Sequence, residues 1–161
     1  MKTVLLLLLA ALTLIAGEYE FEEKRYVYSI DKTLQMKGTI AFDDKGMKID
    51  YVEPGVRHIV YDGLSMDVVN SDGEVVQHVD LNEQPMMKVY MDFIHKLYRG
   101  DYEALSENFV IKKTITVVML TPIAPVDKVI KSVVVHRNTK GLQKIKTKMS
   151  NGDEITLTIA Q

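Results

Sequence analysis

The chain contains no cysteine, which excludes both a disulfide frame and a lipid-modified N-terminal cysteine. It also lacks an excess of positive charge. Twenty Lys and Arg face 22 Asp and Glu, for a formal net charge of −2. With no basic block and no interleaving of basic with aromatic residues, nucleic acid is not an expected partner. Catalytic signatures are missing as well: there is no G-x-S-x-G elbow, phosphate-cradling glycine loop or calcium loop. His58, His78, His95 and His136 are scattered over different expected elements, none at metal-ligand spacing to another, and read as solvated or satisfied histidines. Acidic residues beside glycine, such as Asp43 and Asp44, make turns. The expectation is a protein that is no enzyme and needs neither metal nor cofactor.

Long apolar runs are absent with one exception. After Lys2, the stretch from Val4 to Ile15 is apolar but for Thr13, and it is followed by Ala16, Gly17 and Glu18. This order of positive charge, apolar core and small residues is the pattern of a cleavable secretory signal peptide; a membrane-spanning helix needs about 20 apolar residues. Cleavage is expected after Ala16 or Gly17, which makes residues 1–17 the signal peptide and 18–161 one soluble domain, expected as a monomer in a bacterial periplasm. Loss of Lys2 brings the net charge to about −3.

Beyond Arg25 the pattern is of short runs alternating with period two, the mark of antiparallel strands. The runs are Lys24 to Ile30, Leu34 to Phe42, Met47 to Val52, Arg57 to Tyr61, Ser65 to Val69 and Glu74 to Val79. Asp43-Asp44-Lys45-Gly46, Glu53-Pro54-Gly55, Asp62-Gly63 and Ser71-Asp72-Gly73 separate them with turn chemistry. The period then changes. Met87, Tyr90, Met91, Ile94, Leu97 and Tyr98 recur at intervals of three and four, which predicts an amphipathic helix from Pro85 to Arg99 ended by Gly100. A second short helix is expected over Tyr102 to Glu107, with Asp101 as its N-cap. Strands resume at Phe109 to Leu120, Lys128 to Arg137, Leu142 to Met149 and Glu154 to Ala160. Pro122 and Pro125 mark a loop, and Asn151-Gly152 marks a hairpin.

About ten strands and one principal helix exclude a doubly wound α/β fold, because helices do not alternate with strands. The expected architecture is mainly β: a curved antiparallel sheet with the helix covering one face. Methionine is plentiful, and an unbranched, polarizable side chain can either line a surface that repacks around varied ligands or fill an irregular core. In the run from Met47 to Tyr51, residues Met47, Ile49 and Tyr51 share a face. If that face meets the Met-rich helix loosely, an apolar pocket results.

Several local motifs, in order along nearly the whole domain, resemble the periplasmic outer-membrane lipoprotein carrier family, LolA. They are Lys37-Gly38-Thr39-Ile40-Ala41-Phe42, Met47 to Pro54, Ile59-Val60-Tyr61-Asp62-Gly63 with Met66, Met119-Leu120-Thr121-Pro122, the strand from Val129 to Val135, and Asn151-Gly152-Asp153. The resemblance implies an unclosed, strongly curved antiparallel β half-barrel with a helical lid in its concave face. It further implies a cavity that binds the acyl chains of lipoproteins, carried from an inner-membrane exporter to an outer-membrane acceptor. Carried over residue by residue, the cavity is lined by Met47, Ile49, Tyr51, Ile59, Tyr61, Met66 and Val68, and from the lid by Met87, Met91 and Ile94. The family's Arg-Pro pair ahead of the strand at Met47, whose arginine holds the lid shut, is replaced here by Asp43-Asp44-Lys45. An alternative with the same fold is a periplasmic module that senses lipid or lipoprotein in envelope-stress signalling.

Overall fold

The structure is a computed structural model that describes residues 17–160. The expected signal peptide therefore lies outside the described residues, save Gly17. Alternating side chains build eleven strands. They are β1 (Gly17–Val27), β2 (Lys32–Phe42), β3 (Met47–Glu53), β4 (Arg57–Tyr61), β5 (Ser65–Val69), β6 (Val75–Asp80), β7 (Phe109–Lys113), β8 (Val117–Pro122), β9 (Ile130–Asn138), β10 (Gly141–Met149) and β11 (Glu154–Ile159). Helix α1 (Pro85–Arg99) separates β6 from β7.

All strands join one sheet in the order β6-β5-β4-β3-β2-β1-β11-β10-β9-β8-β7, with every neighbouring pair antiparallel. The chain thus starts mid-sheet, meanders out to β6, crosses through α1 to the opposite edge at β7, and meanders back until β11 lies beside β1. No ladder joins β6 to β7, so the sheet is unclosed.

Its curvature follows from two contacts of one helix. Tyr61 on β4 donates its hydroxyl to Asp92 on α1, and the next helix residue, Phe93, stacks on Phe109 of β7 with ring centroids 5.0 Å apart. In a flat sheet β4 and β7, eight strand steps apart, would be separated by roughly 38 Å. A helix is only about 10–12 Å across with its side chains. The sheet must therefore curl around α1, which makes the fold a half-barrel with the helix in its concave face.

The helix begins with Pro85 at its first turn, where the missing N–H costs nothing, and ends at Gly100, whose φ of 72° is left-handed. Gly100 N–H donates to the Leu97 carbonyl and Asp101 N–H to that of Lys96, closing the last turn. Lys96 and Arg99 stand in that turn, where positive charge complements the helix dipole.

Three expectations need correction. The first strand starts at Gly17 rather than Lys24, so the acidic stretch before Lys24 belongs to the sheet. The segment from Phe109 to Leu120 is a hairpin of two strands, β7 and β8, giving eleven strands instead of ten. Its turn has no Gly, Pro, Asn or Asp; the Thr114 hydroxyl accepts from Val117 N–H at 3.0 Å and takes the place of the usual turn residues. The expected helix from Tyr102 to Glu107 is only a 3-10 turn, Glu103–Leu105, with no side-chain cap from Asp101.

Candidate functional site

The helix packs unevenly. On the side toward β7–β9, Phe93 stacks on Phe109, and Met86, Val89 and Phe93 close against Val126, Val129 and Ile130 with only about 10 Å³ left between them. Toward β1, β3–β5, β10 and β11, a cavity of about 250 Å³ remains.

Its sheet wall is a set of inward-facing alternate residues. β3 contributes Met47, Ile49 and Tyr51, β4 Ile59, β5 Met66, and β1 Phe21, Glu23 and Arg25. β10 contributes Ile145 and Thr147, and β11 Ile155 and Leu157. The helix adds Met87, Tyr90, Met91, Ile94, Leu97 and Tyr98. The structure thus brings Met47, Ile49, Tyr51, Ile59, Met66, Met87, Met91 and Ile94 together around one hollow. It places Tyr61 and Val68 elsewhere. Tyr61 is used up in its contact with Asp92 and packs edge-on to His95, with ring centroids 5.8 Å apart. Val68 is half-buried and lies outside the lining.

Gly38 does not line the cavity but shapes this wall from between two residues that do. In register it lies between Phe21 of β1 and Tyr51 of β3. Phe21 and Tyr51 meet edge-to-face at 5.6 Å and 89°. A Cβ on Gly38 would stand 2.1 Å from the Asp50 carbonyl oxygen, so only glycine permits this approach of β3.

Three polar groups in the wall, Glu23, Arg25 and Tyr51, form one network. Arg25 Nη2 donates to Glu23 Oε1 at 2.7 Å and Arg25 Nε to the same oxygen at 3.1 Å, while Tyr51 hydroxyl donates to Glu23 Oε2 at 3.2 Å. Burial, reinforced by the Glu23 charge, holds the Tyr51 hydroxyl well above its ordinary pKa. Burial acts alike on the hydroxyls of Tyr90 and Tyr98. All three stay neutral donors. Burial draws the Arg25 guanidinium down, but the charge and hydrogen bonds of Glu23 outweigh it and leave the group raised and permanently charged.

Three polar side chains of α1 tie the lid to the sheet. Lys88 Nζ donates to the Gly63 carbonyl at 2.7 Å, Asp92 accepts from Tyr61, and His95 Nε2 lies 2.6 Å from the Asp43 carbonyl, which requires that nitrogen to carry the proton. Asp43 and Gly63 belong to the β2–β3 and β4–β5 turns, both on one rim. His58 and His78 instead pair with Asp50 and Asp67, neighbours across the strands.

A wider hollow of about 660 Å³ lies over the β2–β3 turn, lined by Ala41, Lys45, Lys48, Val60 and Asp62 among others. Phe42, Met47 and Tyr61 also line it, so much of its surface is apolar, but it lies wide open to solvent and gives an apolar ligand little shelter. Among the described residues no three His, Asp or Glu are grouped to hold a metal ion, and no helix is long and apolar enough to cross a membrane.

Phe21, Glu23 and Arg25 were not among the residues expected at the cavity, nor were Ile145, Thr147, Ile155 and Leu157. For β1 the signal was present, since Tyr19 and Phe21 alternate with Glu18, Glu20 and Glu22. For β10 and β11 none was available, because their placement depends on the non-local pairing of β1 with β11.

No family model matches the chain, and no curated protein matches it. Among solved structures, the chain is similar to the crystal structure of LolA superfamily protein NE2245 from Nitrosomonas europaea, at 10% identity over 91% of this chain and 84% of that one, with a TM-score of 0.43. The half-barrel and its lid rest on the strand order and helix contacts above.

Proposed function

We propose that the protein is a soluble periplasmic carrier that shelters acyl chains in the hollow between α1 and the sheet. The observation that carries this reading is a partly enclosed cavity whose wall is mostly apolar, with four flexible methionines, Met47, Met66, Met87 and Met91, among its lining. Burying an acyl chain is worth about 0.8 kcal/mol per CH₂, so a lipid with long chains does not cross water unshielded. The cargo in this reading is an acylated lipoprotein, taken from an inner-membrane exporter and released to an outer-membrane acceptor. The protein makes and breaks no covalent bonds and works as a monomer.

The closed cavity is small beside typical ligand pockets of about 300–1,000 Å³. Several acyl chains enter only if α1 swings away from the sheet, and Lys88, Asp92 and His95 are the contacts it must release. They do the work that the resemblance assigns to an arginine absent from this chain. The same small volume favours a second reading, a lipid-sensing module that holds one chain and reports its presence.

Displacement of a fluorescent acyl probe by a synthetic lipopeptide tests the reading. Saturable binding that is lost in Ile94→Glu, with the circular dichroism spectrum unchanged, is the expected result. Wild-type affinity in both Ile94→Glu and Met91→Glu would sink the cavity assignment.

A further inference from the structure

The polar network in the cavity wall has an uneven count of donors and acceptors. Both Glu23 oxygens are engaged, one by Arg25 and one by Tyr51. A guanidinium carries five N–H groups, and only two of those on Arg25 face Glu23. The pair is also unevenly buried: the Glu23 side chain is 5% exposed and that of Arg25 38%. The carboxylate is therefore the sequestered member and the guanidinium the available one. Outside the lining, exposed Arg57 places a second cation against the Tyr51 ring, its guanidinium carbon 4.9 Å from the ring centre. The next carboxylate along, Glu53, stands 3.7 Å from Lys37.

An ion pair taken out of water contributes little to stability compared with apolar residues of the same volume. What this one supplies is unspent N–H donors at the end of an apolar hollow. The rest of the hollow is too small for several chains at once while the lid is shut.

We propose that the closed cavity binds a single-chain amphiphile with an anionic head, a carboxylate or a phosphate, its head on Arg25 and its chain along Met47, Ile49, Met91 and Ile94. The inference rests on the acyl-binding reading and narrows it, since it names the ligand of the closed form. A cationic head is disfavoured because both Glu23 oxygens are occupied and Arg25 repels it. A neutral alcohol gains the same chain burial without the charge-assisted bond, a difference of about tenfold or more in affinity.

The test is a matched series of one chain length, measured by probe displacement at neutral pH and below each micellar concentration: a fatty acid, an alkyl phosphate, a fatty alcohol and an alkyltrimethylammonium. The two anions are expected to bind at least about tenfold tighter than the alcohol, and the ammonium more weakly than the alcohol. Their relative affinity tells a carboxylate ligand from a phosphate one. Arg25→Met should bring both anions to the level of the alcohol or below it, because the unpaired Glu23 carboxylate then repels them, and leave the alcohol within about twofold. If that variant does not fold, Glu23→Gln combined with Arg25→Met removes the stranded carboxylate and should give the same convergence. An alcohol that binds wild type as tightly as the acid, or a preference for anions that survives loss of Arg25, overturns the head assignment while acyl binding stands. A two-chain phosphatidate that binds as tightly as the single-chain phosphate overturns the single-chain assignment. Binding of no member of the series overturns the acyl-binding reading itself.

Discussion

At the residue scale, Gly38 shapes the cavity wall and Arg25 lines it. Gly38 lets β3 approach β2 closely enough for the Tyr51 ring to meet Phe21 and its hydroxyl to reach Glu23. Gly38→Ala forces the two strands apart and should destabilise the protein by about 1–3 kcal/mol in urea unfolding. Arg25 compensates the buried Glu23. Breaking a buried ion pair by removing one partner costs more than replacing both. Because Arg25 is partly exposed, Arg25→Met is expected to cost about 2 kcal/mol, and adding Glu23→Gln should restore most of it. A double variant no more stable than the single one would show that the pair does not act as a unit.

At the scale of the element, α1 has one side fastened by packing and another by polar contacts. Phe93→Ala removes the stack on Phe109 and should cost about 3–5 kcal/mol. Tyr61→Phe combined with Lys88→Met should instead leave the sheet intact and speed amide exchange in α1 relative to β8 and β9, with faster uptake of an acyl probe. The turns that receive the lid each hold a carboxyl whose ionisation is linked to folding. Backbone N–H groups of Lys45 and Gly46 hold the Asp43 carboxyl below its ordinary range, and those of Ser65 and Leu64 do the same for Asp62. Their folded-state pKa values are depressed, so the stability they contribute is present above the unfolded carboxylate pKa and is lost as pH falls through the folded one. Thermal unfolding below about pH 4 should show this loss, and Asp43→Asn with Asp62→Asn should flatten it. Both carboxylates are exposed, so the effect is modest.

Elements with local chemistry were legible in the sequence. Asp62-Gly63 and Asn151-Gly152 mark hairpins because positive φ and side-chain acceptance are properties of those residues. The 3.6-residue period of α1 and its Gly100 stop are equally local. The β7–β8 turn was hidden because Thr114 closes it through a hydroxyl that the sequence shows at many other places. In β1 the inward run carries Glu23 and Arg25 where apolar residues are expected, which masks the alternation that Tyr19 and Phe21 begin.

At the scale of the whole molecule, the pairing of β1 with β11 was not legible, since register between distant strands is set by the assembled sheet. It is this pairing that brings Ile145, Thr147, Ile155 and Leu157 to the cavity. Leu81 and Leu105, both buried, anchor the chain on either side of the lid. Among the described residues the lid is also the one crossover between the two edges of the sheet. Moving α1 therefore breaks no strand pairing, and an open state costs chiefly the contacts of Lys88, Asp92 and His95 and the burial of the helix face.

The central claim is that this hollow houses acyl chains, and native mass spectrometry of the protein, purified without detergent and then extracted with organic solvent, tests it most directly. The account predicts a protein that carries added mass, released as an acyl amphiphile on extraction, with the added species much reduced in Ile94→Glu. A wild-type protein that travels at its bare mass and takes up no acyl lipid when one is supplied would contradict it.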